Sequence, residues 1–464
     1  MYFTDLLTTN EPVVLAVGSP TLAAFSLALT ALNARWAYNR FSATNHPNHR
    51  KIAKALVYLQ HVPLHITTRD GLSAPLIVFT ENGDWWECFA SRLQQTHTWT
   101  ISGATSIVWV VVAFIITTVD SFMNPGEDAN PTGLGVGSVW LWIIPIVVGW
   151  LWIPVCSYDH LKAAIEKAND LAFVTARNSL PRTNGLPDTS TPTRAYGISR
   201  HQAIGLHKAA EIFTEDTVRT APVFNYSRFL MWSSNAEAIA QLFDDNRIGT
   251  IGQVQAHISR GQTHCGFPVQ GYKEPTKLTP SGMWKRMFVA SIFALGLQWG
   301  TTGSAVISIF STPATGPGCR SMPFILYSIV STMAWVTFLL SSYLAHHTRI
   351  RYEGGVVPHP GFNFTSVAKG LTTFLRWLSI FAAGCNGLGI VISCMSQFTN
   401  FHTTCYCNSR VLGWVTEVAY SIAATDKLGS GQMKGGWIGG IVITFMFLFF
   451  LHFTLDRSHT ASHR

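Results

Sequence analysis

The feature that most constrains this chain is the way its apolar residues are gathered. Stretches of about twenty residues without Asp, Glu, Lys or Arg recur along it, and a helix of that length covers the roughly 30 Å of a bilayer's hydrocarbon. Only 12% of the 464 residues are charged and 48% are hydrophobic. A composition so short of charge does not furnish an ordinary water-soluble surface. The expected class is an all-α membrane protein of about seven transmembrane helices with a small, mainly helical cytoplasmic insert.

The spans read as 13–32, 101–119, 138–155, 287–309, 324–344, 378–398 and 437–455. Orientation follows from the basic residues, which stay on the cytoplasmic side. The first span is preceded by Asp5 and Glu11 and followed by Arg35, Arg40, Arg50, Lys51 and Lys54. That places a tail at 1–12 outside and the loop 33–100 inside. No removable signal peptide is evident, so the first stretch is expected to stay as an anchor. Loops at 120–137, 310–323 and 399–436 then fall outside, loops at 156–286 and 345–377 fall inside, and the tail 456–464 is cytoplasmic. Trp140, Trp142, Trp150 and Trp152 mark the two ends of the third span, and Pro145 is expected to kink it. The sequons at Asn225 and Asn363 lie on inner loops and should carry no glycan.

The insert at 156–286 is long enough to fold. Leu161, Ala164, Ile165, Ala168 and Leu171 share one helical face, so the third span is expected to continue as a stalk. The tract 178–198, with Pro181, Pro187 and Pro192 among Ser, Thr and Asn, reads as a flexible linker. Further helical stretches are expected at 201–213 and 236–243. In the first loop, Asp84 and Glu87 resemble a capping box opening a helix with Trp85, Phe89 and Leu93 on one side. That side either lies in the membrane interface or packs on the other inner loop.

Candidate chemistry is sparse. Cys319, Cys405 and Cys407 fall on outer loops, where an oxidising compartment permits Cys319 to pair with Cys405 or Cys407. The polar centre of the fourth span holds Gln298 and Trp299; with Asn386 of the sixth these are the candidate pocket residues. The competing reading is helix packing, because Gly296, Gly300 and Ser304, then Ala383 and Gly387, then Gly436 and Gly440, make stripes of small residues. His61 and His65 have an i, i+4 spacing, but Pro63 interrupts the helix that a metal pair would need. No nucleotide fingerprint, nucleophile elbow or zinc-protease helix is present. No catalytic residue, cofactor or metal ligand is assigned. As bounded, no span carries an ionisable residue away from its ends, which disfavours proton-coupled transport.

The stretches 94–101, 135–142 with Pro145 and Gly149-Trp150, 298–303, 318–321 and 405–409 carry a resemblance. On them the chain resembles a group of uncharacterised multi-pass membrane proteins of filamentous fungi. No biochemical activity is established for the group, so the resemblance implies a fungal source and one continuous architecture, and no functional residue. The formal charge of +8 comes without a dense basic helix, so loop asymmetry explains it and no nucleic-acid partner is expected. Expected partners are the lipid bilayer and cytoplasmic proteins meeting 156–286, in the plasma membrane or another secretory-pathway membrane. Three functions stay open: a non-catalytic scaffold or accessory component, a small-molecule transporter or sensor with a neutral pocket, and a membrane-bound enzyme of a fungal biosynthetic pathway drawing on His61, His65, His97 or His160.

Overall fold

The computed structural model describes residues 11–44, 47–61, 82–93, 101–123, 132–152, 158–171, 173–174, 193–194, 216, 221–246, 282–310, 321–353, 364–398 and 434–446. Among these the architecture is helical. One short pairing of extended chain joins β1 (Phe173–Val174) to β2 (Thr193–Arg194), antiparallel, with Phe173 opposite Arg194. β2 falls inside the tract expected to be a linker; the rest of that tract and the stretch 201–213 lie outside the described residues.

The chain divides into two compact units. The first comprises 1–29, 97–153 and 287–460; the second comprises 30–96, 154–286 and 461–464. Unit 1 contains α1 (Glu11–Gly18) and the start of α2 (Pro20–Ser42), α5 (Ile101–Met123), α6 (Thr132–Val139), α7 (Ile143–Trp152), most of α10 (Met283–Phe310), α11 (Met322–Glu353), α12 (Phe364–Phe398) and α13 (434–446). Four helices, with α5, α10, α11 and α12 as their cores, are long and apolar enough to cross a membrane, and α1 with α2 make a fifth candidate.

Two expected spans differ in the structure. The first is not straight: α1 and α2 meet at 103°. Pro20 has no N–H to continue a helix and favours its first position, while the Ser19 hydroxyl accepts from Leu22 N at 3.4 Å as a cap. The third is interrupted at Trp140–Trp142, ahead of Pro145. A proline ring clashes with the carbonyl four residues earlier, here Leu141, so the chain tightens through Leu141 N to Ser138 O and Ile143 N to Trp140 O before α7 begins. Trp142 is buried.

The outer surface of unit 1 is apolar and its interior holds many polar side chains. Trp109, Ile116, Phe288, Leu326, Met333 and Phe381 are all more than half exposed, from 60% to 72%. Ser19, Thr21, Gln298, Thr301, Thr302, Ser331, Ser379 and Thr444 are buried. Arg376, just outside the expected span 378–398, lies inside the longer apolar stretch Val367–Ser396 of α12 and is buried. The helix simply starts earlier than its hydropathy suggests.

Unit 2 has the opposite pattern. Its core is built from α3 (His49–Tyr58), α4 (Gly83–Leu93), α8 (Tyr158–Asn169) and α9 (Asn225–Asn246), around Phe41, Leu56, Trp85, Phe89, Leu161, Ile165 and Trp232. Arg50, Asp84, Glu87, Arg92, Lys162 and Lys167 face outward. The expected face Leu161, Ala164, Ile165 and Ala168 is buried, as are Trp85, Phe89 and Leu93, and the two helices pack against each other. The α4 face therefore finds its cover in the insert. Glu87 is drawn to Lys51 Nζ at 2.6 Å, which holds its carboxyl below the usual range.

Candidate functional site

Breaking a helix inside an apolar body exposes carbonyls that no solvent can satisfy, and each unpartnered group costs about 1–3 kcal/mol. The polar residues of unit 1 are placed around this problem. Tyr327 Oη donates to Val17 O at 2.6 Å, and Asn386 Nδ2 donates both to Gly18 O at 2.7 Å and to Tyr327 O at 3.0 Å. Ser19 Oγ reaches Ser331 O at 2.9 Å, while Thr21 Oγ1 and Ser331 Oγ lie 3.0 Å apart. Close approach makes these bonds feasible: a side chain on Gly18 would overlap the backbone of Ala383, and Gly387 packs against Gly18 itself. Glu11 and Arg376 add an ion pair at 3.9 Å, both largely buried.

The three candidate pocket residues are not brought together by hydrogen bonds. Asn386 serves the break. Gln298, fully buried, donates to Thr302 Oγ1 at 3.1 Å and Ser328 Oγ at 3.4 Å, and its Oε1 has no hydrogen-bond partner among the described residues. Trp299 turns away, 42% exposed, with Nε1 on Thr332 Oγ1 at 3.3 Å. The small-residue stripes meet as helix contacts, with Gly440 of α13 against Ser304 and Ser308 of α10, and Trp437 Nε1 donating to Ser308 O at 3.3 Å. Sequence reading missed Tyr327, Ser331 and Gly18. The signal available was Gly18-Ser19-Pro20 within an apolar run, which combines a helix end, a cap and a first-turn proline.

Unit 2 holds the other polar cluster. Arg228 Nη2 donates to Asn225 Oδ1 at 2.6 Å and to Ala221 O at 3.3 Å. A guanidinium only donates, so it fixes the amide of Asn225 with its nitrogen toward Thr30 Oγ1 at 2.7 Å and His61 Nδ1 at 3.2 Å. His61 Nδ1 then accepts and the ring proton sits on Nε2. Tyr226 Oη donates to Asp216 Oδ2 at 2.6 Å. Burial pushes the Arg228 guanidinium down to about 9, opposed by Asp216, which leaves it charged at neutral pH. Nearby, Arg286 lies 4.3 Å over the Trp36 ring and donates to Ser233 Oγ at 2.7 Å. The cluster ties helices of unit 2 together. It also buries Asn225, the sequon residue, so a glycan there is incompatible with this packing whichever side the loop occupies.

Cys319, Cys405, Cys407, His65 and His97 lie outside the described residues; Cys88, Cys385 and Cys394 are free thiols. His160 lies on α8, and no group of three or more metal-ligating side chains occurs among the described residues. No family model, no curated protein and no solved structure matches the chain.

Proposed function

We propose that the chain is a multi-pass integral membrane protein acting as a non-catalytic scaffold, with unit 1 embedded in lipid and the outward faces of α4 and α8 offered to a protein partner. The carrying observation is the use made of the buried polar side chains of unit 1. Asn386, Tyr327, Ser19 and Ser331 bond to backbone or to one another and so close a break in the fold. An apolar exterior over such an interior suits hydrocarbon rather than water. Unit 2 buries apolar side chains and exposes charge, as a water-facing body does. In this reading α5, α6 with α7, α10, α11, α12 and α13 cross the membrane, and the basic loops 33–100, 156–286 and 345–377 are cytoplasmic.

Amine crosslinking of the full chain in its membrane tests the scaffold role. Crosslinks from Lys162 and Lys167 to a protein partner are expected, falling at least about fivefold in Arg92→Glu, which leaves both lysines in place. Absence of any reproducible protein crosslink from these lysines, or indifference to Arg92→Glu, counts against the reading.

A further inference from the structure

The α11–α12 pair supplies a ruler for whatever touches it. The two helices run antiparallel: Tyr327 O faces Asn386, Thr337 Oγ1 faces Ser379 Oγ, and Ser341 Oγ faces Thr372 O. Rising numbers on α11 therefore match falling numbers on α12. Glu11, at the start of α1, pairs with Arg376, toward the end of α12 that also carries Lys369. By Gly18 the chain has climbed to Ala383 and Gly387, consistent with a helical rise of roughly 10 Å over that stretch. α1 and α2 are bent by 103°, and past the bend the contacts step back along the ruler. Ser19 and Thr21 meet Ser331, and Phe25 meets Trp335 with ring centroids 5.6 Å apart, further toward Ser341 and hence toward the Arg376 end.

We infer that α1 and α2 form a re-entrant hairpin with its apex at Gly18–Ser19, so that the segment ahead of Glu11 lies on the same side of the membrane as Arg376 and the basic loops. The expected crossing at 13–32 placed Glu11 and Arg376 on opposite sides, 3.9 Å though they are apart. Irregular backbone at membrane depth is tolerated only where protein satisfies it, and here Tyr327 and Asn386 do so at the carbonyls of Val17 and Gly18. The acids Asp5 and Glu11 do not oppose an inner location, because sidedness follows Lys and Arg and is little affected by acids. One crossing is removed and every later segment keeps its side.

The inference rests on the membrane reading, and the experiment separates the two. Full-length chain carrying one epitope ahead of Met1 and another within 124–131 is placed in sealed microsomes and treated with protease. A hairpin puts a single crossing between the epitopes, so one is digested and the other protected. Both digested, or both protected, overturns the hairpin. Release of the chain from the membrane pellet by alkaline carbonate would instead overturn the membrane reading.

Discussion

Asn386 and Gln298 bring the same amide group into the interior of unit 1, and their surroundings use it differently. Asn386 directs its two N–H donors to carbonyls of Gly18 and Tyr327, whereas Gln298 Oε1 has no hydrogen-bond partner among the described residues. Asn386→Leu should lower the stability of the full chain in lipid nanodiscs by about 2 kcal/mol, since it strands the buried Gly18 carbonyl and removes a second hydrogen bond, to Tyr327 O. Gln298→Leu should change it by under about 1 kcal/mol, because it removes an unmet acceptor along with two long hydrogen bonds. Thermal midpoints of the two variants check this; equal, small effects would mean that the break does not depend on Asn386. The amides stood out in the sequence, but their roles did not. An amide signals a hydrogen bond wanted, and only the fold says whether backbone, ligand or nothing supplies it.

Among helices, legibility followed the physics of length. The expected spans 287–309, 324–344 and 378–398 lie inside α10, α11 and α12, because an apolar run of that length has few alternatives to a helix. The faces of α4 and α8 were legible from periodicity alone. The break at Ser19 was not, since hydropathy averages over a window and passes across a Gly-Ser-Pro triplet. The helix that contains the sixth span continues back to Phe364, past Arg376, whose charge had set the start of that span. Close packing at the break gives a sharp test. Gly18→Ala places a methyl group against the Ala383 backbone and should cost at least about 3 kcal/mol, while Gly303→Ala, with nothing within 4 Å, should be neutral or gain up to about 1 kcal/mol from helix propensity. Similar thermal midpoints for the two would show that α1 does not lie where Gly18 meets α12.

Across the whole molecule, two units of opposite polarity share one chain. Neither pattern suits the other's solvent: the exposed Trp109, Ile116 and Phe381 of unit 1 would aggregate in water, and the outward charges of unit 2 would be costly in hydrocarbon. The sequence disclosed the division through its charge distribution, but its windows could not show that the interior of unit 1 holds a bent segment locked by polar side chains. Gln298, Trp299 and Asn386 each hydrogen-bond within unit 1, and the charged faces of α4 and α8 are outward surfaces of unit 2. Labelling of the full chain in lipid vesicles with a bilayer-soluble carbene precursor, followed by peptide mapping, tests this account most directly. Label is expected on the outward faces of α5, α10, α11 and α12, at Trp109, Ile116, Phe288 and Phe381 among others, and none on α3, α4 or α8; label on α4 or α8, or an unlabelled α5, would overturn the assignment of unit 1 to lipid and unit 2 to water.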